Sequence, residues 1–497
     1  MAAHCQQNGK DRQLEILQAG SLEGANIGGK EVRRLVGDVV FRKDSTYVYC
    51  DSALFFEEDN SIDAYGSIRI EGTGSRLFGD FLHYDGPTKT ADITGKPVRM
   101  TDGRMELTTR AIRYDLETEK GSYVTGGKVV DKDNTLTSRK GYYYSLEKTF
   151  FFREEVVLVN PDYVMSSDTL RYHSPSSTAF FYGPTRITGT DADSGRIYCE
   201  KGWYDTRNGK AWFGGFASVT SGQNMLRGDS ILYDRKNGRG QAWKDVSIRD
   251  TVEEMTITGD YGWLDRNNGR SFVTGRSRLI RRLDDDSLFM HADTLYAMED
   301  TAARKKSFFA YRHVRLFSNE LQGQCDSLVY DTGDSTLRFF ALPVLWNGPN
   351  QLTADTINLL LKNGSLWKLD MYPAAFIAGR EDSLRFNQVK GRSMTGFFNE
   401  NRLETILVNG NGQSIYYLRN AKKQLSAVNQ AACSDMRIRL KGSKVDKITL
   451  LNRPDATLFP VKQAEPSEMK LKDFIWHGAL KPLTKEDIFY WPGPAER

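Results

Sequence analysis

The sequence predicts an all-β protein, an extended β solenoid of about twelve to fourteen repeats of roughly 30 residues each. Three observations predict it. A six-residue pattern recurs twelve times, at start-to-start spacings of 27 to 33 residues. The flanking segments alternate apolar and polar residues with period two and are rich in Tyr, Phe, Val, Ile and Thr, the side chains that suit a half-buried pleated surface. No long window carries apolar residues at the 3.6-residue period of an amphipathic helix.

The pattern is a small residue, then Asp or another polar residue, then usually Ser or Thr, an apolar or small residue, any residue, and an aromatic. Cys50-Asp-Ser-Ala-Leu-Phe55 and Ser167-Asp-Thr-Leu-Arg-Tyr172 are typical copies. Others begin at Gly79, Thr109, Ser138, Cys199, Gly228, Gly259, Ala292, Cys325, Ala354 and Glu381, with weaker echoes at Gly412 and Cys433. Between copies comes a second strand, often opened by glycine, as in Gly37-Asp-Val-Val-Phe41 and Gly66-Ser-Ile-Arg-Ile70. Asn208-Gly209, Asn237-Gly238 and Asn268-Gly269 supply turns, because both residue types tolerate positive φ. Each unit therefore holds at least two strands. One unit cannot bury its own apolar face, but stacked neighbours can. At about 4.8 Å per strand the stack would reach on the order of 60–130 Å, a length better suited to bridging than to a compact catalytic pocket.

Side chains alternate across a strand, so the fourth and sixth positions of the pattern share a face. They read Leu82 and Tyr84, Ile112 and Tyr114, Leu170 and Tyr172, then Tyr204, Ile231 and Tyr233, and Leu328 and Tyr330. The fifth position carries Arg three times (Arg113, Arg171, Arg385), so it points outward.

Composition narrows the function classes. The chain has 497 residues with 68 Lys+Arg against 64 Asp+Glu, a net charge of +4, which argues against a polybasic nucleic-acid binder. No stretch of about 18 apolar residues is present to cross a membrane as a helix. The start, Met1-Ala-Ala-His-Cys5, has no apolar signal region, so the chain is either cytoplasmic or a mature form with its signal removed. Five scattered cysteines form no C-x-x-C pair, which speaks against zinc and against a disulfide scaffold. Three domains are expected: a polar lead-in at 1–22, the repeats at 23–440, and a Pro-rich cap or tail at 441–497.

Gly37-Asp-Val-Val-Phe41, Cys50-Asp-Ser-Ala-Leu54, Ile62-Asp-Ala-Tyr-Gly66 and Val159-Asn-Pro-Asp-Tyr163 together resemble the OstA-like family of lipopolysaccharide-transport proteins, and its long Bacteroidetes-type members in particular. The resemblance covers roughly residues 14–460. It implies a β-jellyroll bent into an open V, a periplasmic location, and lipid A acyl chains held in the slot between two sheets. It also implies partners of the same jellyroll type, joined through edge strands, and no enzymatic activity or cofactor. The inward residues named above are then the candidates for lining the slot. A slot suits the chemistry, since each buried methylene is worth roughly 0.8 kcal/mol and a multi-acyl lipid cannot cross water uncovered.

Bland and rival readings stand beside this one. The Leu/Tyr row equally suits a closed, fully packed core without ligand. The recurrent Asp (Asp51, Asp80, Asp168, Asp229, Asp260, Asp293, Asp326, Asp355, Asp382) reads as a strand-edge or turn residue bonding nearby backbone, rather than calcium or acid chemistry. The six histidines fall at different repeat phases and suggest no metal site. Arg278, Arg281 and Arg282 read as a solvated loop facing Asp284-Asp-Asp286, with a phosphate clamp as the sharper alternative. A β-helix enzyme acting on polysaccharide would need carboxylates gathered on neighbouring rungs, which the spacing does not give. A structural or adhesive repeat protein remains the third reading.

Overall fold

A computed structural model describes residues 14–495, apart from 73, 191–194, 223, 253, 283–285, 301–304, 364, 401 and 443. The described residues form 38 β-strands, and their only helical elements are two short 3-10 turns at Gly478–Leu480 and Asp487–Phe489. The all-β class is therefore correct. The chain divides into two compact units. The first holds residues 1–222 and 230–236, and the second holds 223–229 and 237–497.

Long strands bend in the middle, and the bend follows from local backbone chemistry. The strand Lys30–Lys43 pairs antiparallel with Thr46–Phe56, but the register slips between Val36 and Val39. Gly37 and Asp38 occupy the slip with φ of 85° and 43°. Two extra residues in the left-handed region turn the strand sharply, as bulges do. The same device recurs at Gly66/Ser67, Glu154/Glu155, Gly215/Phe216, Lys244/Asp245 and Arg312/His313. Each bent strand thus contributes its two halves to two facing leaves. Leaf A holds the half of each hairpin that carries pattern positions four to six. Leaf B holds the half that precedes the pattern.

The recurrent Asp sits at this crease. Ser67 Oγ donates to Asp51 Oδ2 at 3.1 Å, and the Lys96 amide donates to Asp80 Oδ2 at 2.9 Å. A Cβ added at Gly66 would meet Asp51 Oδ2 at 2.2 Å, so glycine there serves both the positive φ of 74° and the close approach. The first pattern position faces inward where the leaves converge, which explains why it is small: Cys50, Cys199 and Cys325 are all buried there. The bulge also resets the side-chain parity, so positions one, four and six share the inward face in the strand-borne copies. The copy at Glu381 departs from this, because residues 381–385 form a loop in which Leu384 is 63% exposed and Phe386 packs on Phe474 of the C-terminal segment.

In the first unit the leaves bury Leu35, Phe41, Ile62, Leu82, Ile112, Phe150, Phe152, Leu170 and Phe181 between them. In the second unit one continuous apolar cluster runs from Leu279 and Met290 through Leu328, Phe339, Ile357 and Met371 to Met436 and Ile438. Strand pairing continues past residue 440: Lys444–Leu451 and Asp455–Pro460 both pair with Leu425–Lys441. At the other end Glu15–Gln18 and Ser21–Ile27 both pair with Lys30–Lys43, so part of the polar lead-in is strand.

From Val461 the chain leaves the sheet and covers the outer face of leaf B in the second unit. Ala464, Met469 and Leu471 pack on Phe376, Ala378, Ile415, Tyr417 and Val428, and Ala495 packs on Val344 and Trp346. Three buried glutamines of the sheet hold the segment by its backbone. Gln388 donates to the Met469 carbonyl and accepts from the Leu471 amide. Gln351 does the same with the Ile475 carbonyl and the His477 amide. Gln324 donates to the Gly493 carbonyl. A side-chain amide bonding residues two apart imitates a neighbouring strand, so the tail is read as backbone rather than as sequence.

Candidate functional site

The space between the leaves is the candidate site. Of the eleven residues singled out by the sequence, Leu82, Tyr84, Ile112, Tyr114, Leu170, Tyr172, Tyr204, Ile231 and Leu328 are buried. Tyr233 and Tyr330 are half-buried. The leaves bring the residues together as one inward row within each unit. Tyr204 borders an open cleft of about 410 Å³, with Tyr163, Asp162 and Arg235.

In the first unit the tips of the two leaves are laced together by polar contacts. The Lys43 ammonium donates to the Tyr84 hydroxyl at 2.6 Å, the Tyr143 hydroxyl donates to Asp102 Oδ2 at 3.1 Å, and the Tyr172 hydroxyl donates to Asp131 Oδ2 at 2.8 Å. Each of these pairs is separated by 41 residues, so one lacing contact recurs at the same place in the repeat. The Tyr114 hydroxyl fits into the same series, within reach of Ser145 and Ser75, whose hydroxyls lie 3.4 Å apart. Further along, Asn134 Nδ2 donates to Thr206 Oγ1 at 3.3 Å, and Tyr204 lies in hydrogen-bond reach of Arg235. Burial raises the pKa of Tyr172, and the neighbouring Asp131 raises it further, so the phenol remains a neutral donor. The aromatic of the pattern therefore works as a strut. Its ring fills the core and its hydroxyl reaches the opposite leaf.

The second unit is built differently. The pattern's aromatic is replaced by Leu264, Ala297 and Leu359, so no hydroxyl is available at those rungs. The leaf tips are instead apolar and half-buried: Met255, Ile257, Leu288 and Leu321 from leaf B, and Leu337, Leu366, Phe398 and Leu403 from leaf A. Residues at the matching leaf B position in the first unit, Met105 and Tyr163, are only 3% exposed. Each unit thus has its own apolar interior, closed at the leaf tips by polar struts in the first and bordered by half-buried hydrocarbon in the second. The sequence reading missed these tip residues because it followed positions four to six only. The signal was present four residues before each pattern, where Met255, Leu288 and Leu321 stand.

No group of three metal-type ligands gathers among the described residues. Four cysteines are free and buried. Burial pushes the Cys50 and Cys199 thiols up to about 12, which takes them out of thiolate chemistry. Cys5 and His4 lie outside the described residues, as do Asp284 and Asp285 of the acidic run near Arg278. The third member of that run, Asp286, accepts from the backbone and side chain of Asn319.

Bent antiparallel strands, folded in each unit into two leaves around an apolar interior, define an all-β, jellyroll-like repeat protein. Residues 11–168, about a third of the chain, match the family of OstA-like proteins. A solved structure similar to part of the chain is LptH from Pseudomonas aeruginosa, described as the LptA-homologous periplasmic component of the conserved lipopolysaccharide transport device. It is 16% identical, with 24% of this chain and 82% of that chain covered and a TM-score of 0.21. No curated protein matches the chain.

Proposed function

We propose that the protein is a non-catalytic periplasmic carrier in lipopolysaccharide transport, which holds the acyl chains of a lipid A-containing glycolipid between its leaves. The observation that carries this reading is the change at the leaf tips of the second unit. There Met255, Ile257, Leu288, Leu321 and Leu337 replace polar struts with half-buried hydrocarbon bordering a continuous apolar core. The OstA-like sequence of residues 11–168 supports the lipopolysaccharide class of cargo. An acyl chain of roughly a dozen methylenes gains about 10 kcal/mol on leaving water, so even partial cover lowers the barrier to crossing an aqueous compartment. A row of similar apolar positions offers many equivalent sites, which favours movement along it over a single tight grip.

Association with other jellyroll proteins of the transport system would use the terminal strands. Glu15–Gln18 and Ser21–Ile27 at one end, and Lys444–Leu451 and Asp455–Pro460 at the other, each pair on one side only among the described residues. Unpaired strand edges are templates for a further strand.

Photocrosslinking tests the cargo. A photoreactive side chain at Ile257 or Leu337 is expected to capture lipid A, and one at the outward-facing Arg171 is not. Equal capture at all three positions, or no lipid in the extract of the purified chain by mass spectrometry, rejects the proposal.

A further inference from the structure

A second cavity, of about 480 Å³, opens where the C-terminal segment crosses the tip of leaf B in the second unit. Its walls come from the turn around Gly348, the loop at Arg380–Ser383, and Trp476 and Lys481 of the segment. The position matters. Asn347, next to the cavity-lining Gly348, pairs with Leu321, one of the apolar tip residues, so the cavity borders the tip of leaf B.

The charges in this cavity are unevenly matched. Glu381 is ion-paired with Arg419 and also accepts from Asn387 Nδ2 at 3.1 Å. Asp382 is paired with Arg385 at 2.8 Å and accepts two backbone amides of its own loop. The acids are therefore already neutralised. The cations are not. Arg380 donates through Nε to the Asp382 carbonyl at 3.2 Å, and Lys481 donates to the Gly348 carbonyl at 2.9 Å. Neither has a carboxylate within ion-pair distance among the described residues. Burial lowers the Lys481 pKa, as expected of an ammonium partly removed from water without a counter-ion.

Two indoles complete the walls. Trp476 packs on Phe386 with ring centroids 5.1 Å apart. Trp346 is 1% exposed, and its Nε1–H is buried without a hydrogen-bond partner. A buried donor left unpaired is uncommon and calls for an acceptor. Flat aromatic walls, a spare indole donor and two uncompensated cations match a sugar ring bearing an anionic group. The volume falls within the usual range for a small-ligand site.

We propose that this rim cavity binds a phosphorylated saccharide, with Arg380 and Lys481 on the phosphate and Trp346 and Trp476 against the sugar. The inference rests on the carrier reading and deepens it: acyl chains between the leaves would place the phosphorylated sugar of the same glycolipid at the rim.

Calorimetry on the full chain tests this with three probes: fully deacylated lipopolysaccharide, the same glycan after phosphatase treatment, and inorganic phosphate. The phosphorylated glycan is expected to bind, and the other two to bind at least about tenfold more weakly. An Arg380→Gln/Lys481→Gln variant, changed only at partly exposed positions, should lose about tenfold or more for the phosphorylated glycan with an unchanged urea midpoint. Equal affinity for the dephosphorylated glycan, equal affinity for inorganic phosphate, or unaltered binding by the variant overturns the inference. Binding of intact lipopolysaccharide without binding of the deacylated form overturns the rim site alone, whereas binding of neither overturns the carrier reading as well.

Discussion

Tyr172 and Asp131 join the tips of opposite leaves: the phenol donates to Asp131 Oδ2 at 2.8 Å, and both residues are at most 2% exposed. Ser174 Oγ reaches the same oxygen at 3.3 Å, while Asp131 Oδ1 has no partner. A buried carboxylate with so few donors depends strongly on each one. Tyr172→Phe keeps the ring and removes one donor. It should destabilise the first unit by about 1–3 kcal/mol, read as a lower urea midpoint. If the tyrosine were only a packing residue, the midpoint would stay where it is.

The glutamine contacts make a separate claim about the C-terminal segment. Gln351 is 2% exposed and serves the Ile475 carbonyl and the His477 amide together. Gln351→Leu preserves bulk but leaves both backbone groups unpaired, at about 1–3 kcal/mol. Gln351→Glu should be worse at neutral pH, since a carboxylate cannot donate to the Ile475 carbonyl and would be buried without a counter-ion. Limited proteolysis of the full chain should then cut within residues 470–485 while the sheet resists. Equal protection in both variants and the parent would show that apolar packing alone seats the segment.

How far the sequence could be read depends on which physical signal each feature leaves. The repeat period, the strands and the inward row were legible because Leu170 and Tyr172 recur in equivalent form at almost every rung. The crease was half legible. The small first residue and the following Asp were visible, but their cause, a register slip at residues such as Gly37 and Asp38, needs the partner strand. The difference between the two units was visible only as scattered losses of tyrosine at Leu264, Ala297 and Leu359. The tail-binding row was hidden, because Gln324, Gln351 and Gln388 lie far apart in the chain and resemble ordinary surface glutamines until adjacent strands align them. The same holds for the rim cavity, whose walls are separated by more than a hundred residues between Trp346 and Lys481.

The small residues at the crease make a chemical prediction. Cys50, Cys199 and Cys325 are buried where the leaves converge, and burial raises all three thiols well above their ordinary value. In a Cys5→Ser background the native chain should react with a thiol reagent only on the timescale of unfolding, and all four remaining thiols should appear in denaturant. Rapid modification of any of them in the native chain would show that the crease opens in solution.

The last turn of the C-terminal segment carries a pH dependence. Phe489 lies 5.0 Å from the His291 ring, centroid to centroid. His291 Nδ1 donates to the Ser277 carbonyl at 2.6 Å, so a second proton would have to go on Nε2. Burial lowers the pKa of His291 below 6.5, and the Ser277 contact and nearby Asp293 oppose the shift without cancelling it, while His313 and Arg276 add to it. The neutral ring is therefore the form the docked segment favours. An undocked chain, with His291 exposed, takes up the proton first as the pH falls. Seating is thus fully favourable above about pH 6.5 and weakens as the pH drops from there toward the lowered value of the docked state. Hydrogen exchange of residues 485–495 should accelerate across that interval in the parent chain and lose this pH response in His291→Gln. The same acceleration in the variant would show that His291 is not the source of the pH response.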